Sequence, residues 1–293
     1  MKAFTLVLGI LNLLLVLGLG FVFYQQHQQL EKHREAEQVL KKEVTELRQL
    51  VQVQRMRIDQ LLQDDLPRAE AVRFRDKVFD TYTVDLNEQA LALFLKDSLG
   101  NQYRSLTQLK NTVEDGDHWL VFATNAGMYT PQYTPVGLYI EKGTEFFPLD
   151  TKDGRGNFYL KPNGVFYVGD QGAGVVESGA FAELTDSVQL ATQSGPLLVL
   201  RDSIHPAFNE GSPNLNIRSG VGILSPEKVV FAISNEPTNF YDFAMLFKEY
   251  FGCSDALYLD GAISRMYLPA LNRFELGGDF GPMLGIVQQY PLE

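Results

Sequence analysis

Cysteine is almost absent from this chain. Cys253 is the only one in 293 residues, which excludes a disulfide framework and a thiolate metal cluster. It stands beside Gly252 and reads as a small buried apolar residue. Histidine is nearly as scarce: His27 and His33 fall in a polar N-terminal stretch, leaving only His118 and His205, far apart, for the remainder. No zinc-ligand spacing results, and no cofactor is expected. An oxygen-ligated calcium at Asp150–Asp153 is the remaining metal option, against the plainer account of a solvated turn. Positive charge is in deficit as well. With 25 Lys and Arg against 36 Asp and Glu, the formal net charge is −11, an unsuitable surface for nucleic acid. Residues 1–65 hold eight basic and eight acidic side chains, so the whole excess falls on the rest of the chain. Also missing are a Gly-x-Gly-x-x-Gly turn between strand and helix and a phosphate-binding loop of the Walker type. Ser194 lies in Gln-Ser-Gly, not in the elbow of a serine hydrolase.

What is present divides the chain in three. Ala3 to Phe23 is an apolar run interrupted only by Thr5, Asn12 and glycines, long enough at 1.5 Å per residue to cross a bilayer core of about 30 Å. No small-residue cleavage site follows it, so residues 1–24 are expected to be an uncleaved transmembrane anchor. From Leu30 a seven-residue rhythm begins, with Leu30, Leu40, Val44, Leu47, Val51, Ile58 and Leu61 on a and d positions and His33, Glu37 and Gln54 interrupting. Neither proline nor glycine occurs between Gln25 and Leu66, and Pro67 ends the pattern. Residues 25–66 are therefore expected to form a coiled-coil stalk, and through it a homo-oligomer; a single solvated helix is the alternative.

Residues 68–293 are rich in glycine, proline and aromatics, with short strands and no heptads, as one globular domain would be. Strands are expected at Trp119–Ala123, Gly137–Glu141, Val188–Thr192, Leu197–Leu200, Gly220–Leu224, Val229–Ser234 and Ala256–Leu259. Pro162-Asn163-Gly164 predicts a hairpin between 157–160 and 165–168. One helix should run from a cap at Thr238 or Asn239 to Gly252, and a weaker one over Asn87–Lys96. The expected class is α+β, a mixed β-sheet domain of catalytic type preceded by the anchor and stalk.

The strand Ala256–Leu259 runs directly into Asp260-Gly261, then Ser264-Arg265. A strand end holds a carboxylate rigidly and the glycine lets a ligand approach the backbone, although an Asp-Gly turn closing a hairpin would look the same. Three more segments combine a small polar side chain with glycine at a strand end: Asn125-Ala126-Gly127, Gln193-Ser194-Gly195-Pro196 and Asn216-Ile217-Arg218-Ser219-Gly220. Converging on one rim, they would form a polar pocket for an anionic, hydroxyl-rich ligand; as ordinary turns they would do nothing of the kind.

These four segments, in this order, resemble the phosphodiester glycosidase family, related to the uncovering enzyme that removes N-acetylglucosamine from a mannose 6-phosphate diester. The resemblance spans residues from about 115 to about 290 and points to a bacterial branch of unknown activity. It departs from the family pattern at Ala262-Ile263, where glycines are usual, and at Arg265, where a second serine would stand. It implies hydrolysis of a sugar 1-phosphodiester at the glycosidic bond, on a phosphorylated glycan or free sugar phosphodiester. Asp260 would stabilise or attack the sugar centre, Arg218 and Arg265 would hold phosphate, and Asn125, Gln193 and Ser264 would orient hydroxyls. Gly127, Ser194 and Gly195 complete the motif positions on the binding side, and Glu210, or else Glu236, would supply an acid or base. Such chemistry implies a bacterial inner-membrane protein with its C-terminal domain in the periplasm. Lys32, Arg34, Lys41 and Lys42 beyond the anchor, against Lys2 before it, argue for the opposite orientation. Two competing functions remain: an inactive envelope carbohydrate-binding or scaffold protein, and a metal-dependent phosphodiesterase cutting the P–O bond.

Overall fold

The computed structural model describes residues 25–31, 33–34, 36–45, 47–48, 50–51, 69–114, 116–184, 187–259 and 263–290. The chain divides into two compact units, Met1–Asp65 and Leu66–Glu293. In the first, every described residue between 25 and 51 is helical, and Leu30, Leu40, Val44, Leu47 and Val51 are exposed. Neither a transmembrane helix nor a coiled coil is shown among the described residues, and the apolar run 3–23 lies outside them.

The second unit is sheet-rich with few helices. Its central sheet has seven strands in the order β1 (Ala69–Phe74), β2 (Lys77–Asp85), β13 (Lys228–Ser234), β12 (Ser219–Ser225), β14 (Ala256–Tyr258), β10 (Leu197–Leu200) and β11 (Ser203–Ile204). A five-stranded sheet orders β16 (Arg273–Phe274), β15 (Met266–Leu268), β4 (His118–Asn125), β17 (Met283–Gln289) and β3 (Leu91–Phe94). Another orders β6 (Thr144–Phe147), β5 (Tyr139–Glu141), β9 (Val188–Ser194), β7 (Gly164–Gly169) and β8 (Gly172–Glu177). The expected mixed sheet is realised as antiparallel pairs throughout the described residues, because hairpins and long returns, not crossover helices, connect the strands.

Side-chain alternation assigns the two faces of the central sheet. Phe79, Val230, Ala232 and Tyr258 point to one side and pack beneath α3 (Phe240–Met245) and the π-turn that continues it, Leu246–Tyr250. Phe79 stacks on Phe243 at 6.0 Å. On the opposite side Tyr82 stacks on Phe122 of β4 at 4.6 Å, Phe122 meets Phe231 at 5.0 Å, and Phe166 of β7 meets Phe231 edge-on at 6.0 Å. Burying each of these rings contributes about 2–3 kcal/mol, so this aromatic seam holds the three sheets together. Outside the β4 sheet lies α1 (Leu106–Val113), capped by Ser105 and anchored through Leu106 and Leu109. A single helical turn, α2 (Ser178–Phe181), follows β8.

Two expectations fail. Asn87–Lys96 is not a helix: Leu91, Leu93 and Leu95 are buried at a period of two, and β3 pairs with β17. The Pro162-Asn163-Gly164 segment closes no hairpin. Residues Asn157–Tyr159 form a 3-10 turn, Asn163 is turned inward with its Nδ2 donating to the Phe158 carbonyl at 2.8 Å, and β7 pairs forward with β8. The helix at Asn239 matches expectation: its side chain accepts from the Asp242 N–H at 2.8 Å, and Gly252, at φ 68°, ends it. Cys253 is fully buried against this helix, and burial pushes its thiol up to about 12.

Candidate active site

Several strands end at the same place, and their last residues are bonded to one another. Asn125 closes β4 and is 1% exposed. The Arg265 backbone N–H approaches one atom of its amide at 3.0 Å; an N–H requires an acceptor, so this atom is Oδ1. Nδ2 therefore donates to Ser219 Oγ at 3.0 Å, and the Ser219 hydroxyl has Asn125 Oδ1 at 3.2 Å and Ser264 Oγ at 3.3 Å as acceptors. Thr124 Oγ1 donates to the Arg265 carbonyl at 2.9 Å. The end of β4, the start of β12 and the approach to β15 are thus joined through buried hydroxyls and one amide. Ser194, which ends β9, donates from Oγ to the Leu259 carbonyl at 3.1 Å, and the Leu259 N–H donates to the Ser219 carbonyl at 3.0 Å. Leu259 is accordingly clamped between β9 and β12. Asp260, Gly261 and Ala262 lie outside the described residues.

Arg218 precedes Ser219 and, by alternation, faces the other side of the sheet, towards α3. It is 1% exposed. Nε donates to the Thr238 carbonyl at 2.8 Å, Nη2 to the Asn214 carbonyl at 2.9 Å and to Asn214 Oδ1 at 3.3 Å, and Nη1 to Tyr258 Oη at 3.3 Å. The guanidinium carbon sits 3.6 Å above the centre of the Phe240 ring. Among the described residues no carboxylate lies within ion-pair distance of it, and one Nη1 N–H has no acceptor. Burial lowers the pKa of the guanidinium, with the Tyr258 phenol opposing that shift.

Other members of the expected set have contacts of their own. The Gln193 amide is fully used: Oε1 accepts from the N–H groups of Leu138 (3.0 Å) and Asp150 (2.9 Å), while Nε2 donates to the Asp150 carbonyl (2.6 Å) and Ser178 Oγ (2.9 Å). Gly127 donates its N–H to Thr192 Oγ1 at 3.1 Å, and a Cβ there would come within 2.3 Å of the Gln193 carbonyl. A Cβ on Gly195 would meet the Phe158 carbonyl at 2.8 Å; the Gly195-Pro196 bond is cis. Glu210 is exposed and lies 3.2 Å from Arg75, which also meets Asp242 at 3.2 Å on the outer side of α3. Glu236 accepts from the Val78 N–H at 3.0 Å. Arg265 is half-buried, and its Nη1 donates to the Ser264 carbonyl at 3.1 Å.

With this geometry in place, comparison with known proteins is decisive on one point. The family model described as phosphodiester glycosidase matches residues 118–281, more than half of the chain and all of the strand ends above. The chain belongs to the phosphodiester glycosidase family. It is similar to the uncharacterized protein YigE of Escherichia coli (strain K12), with 36% identity over 187 residues, 64% of this chain and 73% of that protein. Its fold is similar to that of the catalytic domain of zebrafish N-acetylglucosamine-1-phosphodiester alpha-N-acetylglucosaminidase, auto-inhibited by its pro-peptide. The TM-score is 0.53 at 12% identity, over 75% of this chain and 81% of that one.

Within this phosphodiester glycosidase domain the structure adds residues that the sequence did not single out for the site. Ser219 is the hub between Asn125 and Ser264, and Asn214, Thr238 and Tyr258 bound the Arg218 guanidinium. The signal for Ser219 and Tyr258 was period two along β12 and β14, which places neighbours of Arg218 and Leu259 on defined faces. Asn214 and Thr238 come from loops, where no period exists.

Proposed function

We propose that this chain hydrolyses a sugar 1-phosphodiester at its glycosidic bond, releasing free sugar and a phosphomonoester. The observation that carries the proposal is Arg218: a guanidinium buried on the α3 side of the central sheet, one residue before the start of β12, unpaired by any described carboxylate, with an N–H to spare. A buried cation without a counter-ion is costly, and an anionic substrate group supplies the missing charge. Asp260 follows Leu259, which Ser194 and Ser219 clamp, and we assign its carboxylate to the sugar centre. The departing phosphomonoester, with a second pKa of about 6, requires less proton donation than a sugar alkoxide. Water contributes its oxygen to C1 as the C1–O bond to phosphate breaks.

Asn125 and Ser264, held through Ser219, are the groups we assign to sugar hydroxyls, and Arg265 to the outer side of the phosphate. Glu210, committed to Arg75, is given no step. We further place the domain in the periplasm of a bacterial cell, anchored in the inner membrane by residues 1–24; the exposed heptad side chains from Leu30 to Val51 support association of the stalk with a second copy. The test is incubation of the purified full-length chain with a panel of sugar 1-phosphodiesters and identification of the products. Sugar with phosphomonoester supports the proposal; sugar 1-phosphate as product refutes it.

A further inference from the structure

Arg218 does not stand alone on Phe240. The Phe208 ring lies parallel to the Phe240 ring, with centroids 4.8 Å apart and an interplanar angle of 5°, while the Arg218 guanidinium carbon is 3.6 Å from the same Phe240 centroid. Two groups at stacking distance from one ring cannot share a face, so Phe240 is held between them. Behind Phe208 comes His205, stacked at 4.7 Å and 23°. His205 is 4% exposed, its Nδ1 accepts from the Ala207 N–H at 3.1 Å, and burial depresses its pKa, so the outermost layer is a neutral ring near pH 7.

The result is a four-layer column, His205, Phe208, Phe240, Arg218, that crosses from the long loop after β11 through the first turn of α3 to the first residue before β12. Hydrogen bonds donated to Thr238, Asn214 and Tyr258 set the edges of the guanidinium plane. Its height above the sheet is set by the Phe240 ring at 3.6 Å, with the Tyr258 ring, 5.5 Å from the guanidinium carbon, on a second side. Phe240 begins α3 directly after the cap Asn239, Tyr258 meets its ring edge-on at 4.8 Å, and Phe208 covers the face turned away from the cation. Phe208 itself is only partly buried and packs at the border of the core.

Resting on the assignment of Arg218 to the substrate phosphate, we infer that Phe208 is a positioning residue for anion binding, acting through Phe240 on the Arg218 guanidinium. A stacked aromatic fixes the cation with its N–H edge presented outward, and replacing the ring by an aliphatic chain of similar volume removes that restraint while preserving burial. Phe208→Leu does this, and Phe208→Tyr retains the ring.

The experiment measures both variants and the wild type as purified full-length chains, by calorimetric titration with inorganic phosphate and by turnover of a sugar 1-phosphodiester. For Phe208→Leu the phosphate Kd and the KM are expected to rise about threefold to tenfold with kcat within about twofold, whereas Phe208→Tyr stays within about twofold of wild type in all three. Both should melt within about 4 °C of wild type; if Phe208→Leu does not fold, Phe208→Met makes the same comparison. Equal phosphate affinity in the wild type and the Leu variant, equal weakening in both variants, or no phosphate binding by the wild type would each overturn the inference. Ring-dependent phosphate binding without turnover of any phosphodiester leaves the positioning role standing and removes the proposed reaction instead.

Discussion

Arg218→Met separates a functional cation from a structural one. Methionine matches the apolar length of arginine and can fill the slot over Phe240, so the perturbation is the loss of charge and hydrogen bonds. The Thr238 carbonyl loses one of two donors and keeps the Asn216 N–H at 3.1 Å, while the carbonyl of the exposed Asn214 turns to water, together a cost of about 1–3 kcal/mol. Against this, the fold no longer holds out of water a guanidinium that no described carboxylate pairs, a cost of several kcal/mol. The two nearly cancel. The expected net change in stability is within about 2 kcal/mol, which for a domain of this size moves the melting temperature by less than about 8 °C. Catalysis has no such compensation: removing a preorganised donor to a charged substrate group lowers kcat/KM by about 10²–10³-fold. Calorimetric melting and steady-state kinetics on the same preparation decide the matter. A variant that loses more than about 4 kcal/mol of stability, or retains turnover within about tenfold of wild type, would show that Arg218 is a structural residue and that the anion site is elsewhere.

Other outcomes follow from the same geometry. Asp260→Asn keeps the side-chain volume and removes the negative charge, so kcat should fall by about 10³-fold or more with an unchanged melting temperature; a milder loss would move the nucleophile or stabilising role to another carboxylate. Gly127→Ala forces a Cβ against the Gln193 carbonyl, where only 2.3 Å is available, and should cost about 1–3 kcal/mol or more in denaturant unfolding; an unaffected midpoint would mean that β4 and β9 separate freely. His205 has a folded pKa below its unfolded value of about 6.5, so the unfolded chain binds more protons in the window below that value. Its contribution is fully present above about pH 6.5 and is lost as pH falls towards the folded pKa, with a slope of up to about 1.4 kcal/mol per pH unit. Thermal melts between about pH 7.5 and about pH 5.5 should show this loss in the wild type and a flatter profile in His205→Gln; parallel profiles would assign the loss to other groups.

The parts of the fold that were legible in the sequence are those with a local cause. β4 is an uninterrupted apolar run because it lies between β15 and β17 with both faces covered. The cap at Asn239 and the left-handed Gly252 define α3 and its π-turn from short-range chemistry. The failures share a non-local cause. Leu91, Leu93 and Leu95 admit a helix or a strand, and only the distant β17 decides in favour of the strand. Pro162-Asn163-Gly164 satisfies hairpin grammar, yet the buried Asn163 is used against Phe158, and the pairing partner of β7 is supplied later in the chain. Of the expected site residues, Asn125, Ser264 and the Arg265 backbone are brought together because polar groups at strand ends bond to one another across the rim. Gln193 looked equally suitable, but its four hydrogen bonds are taken up by Leu138, Asp150 and Ser178, a demand set by loops that no pattern reveals. Arg218 and Ser219 were taken as one segment, whereas alternation sends them to opposite faces of the central sheet, one to the cation column and the other to the hydroxyl cluster.

The central claim is that the bond broken is the one between the sugar carbon and oxygen, and hydrolysis in water enriched in ¹⁸O tests it directly. Mass spectrometry of the products should find the heavy oxygen in the released sugar and none in the phosphomonoester. Heavy oxygen in the phosphomonoester would place the cut between phosphorus and oxygen and contradict the glycosidase mechanism.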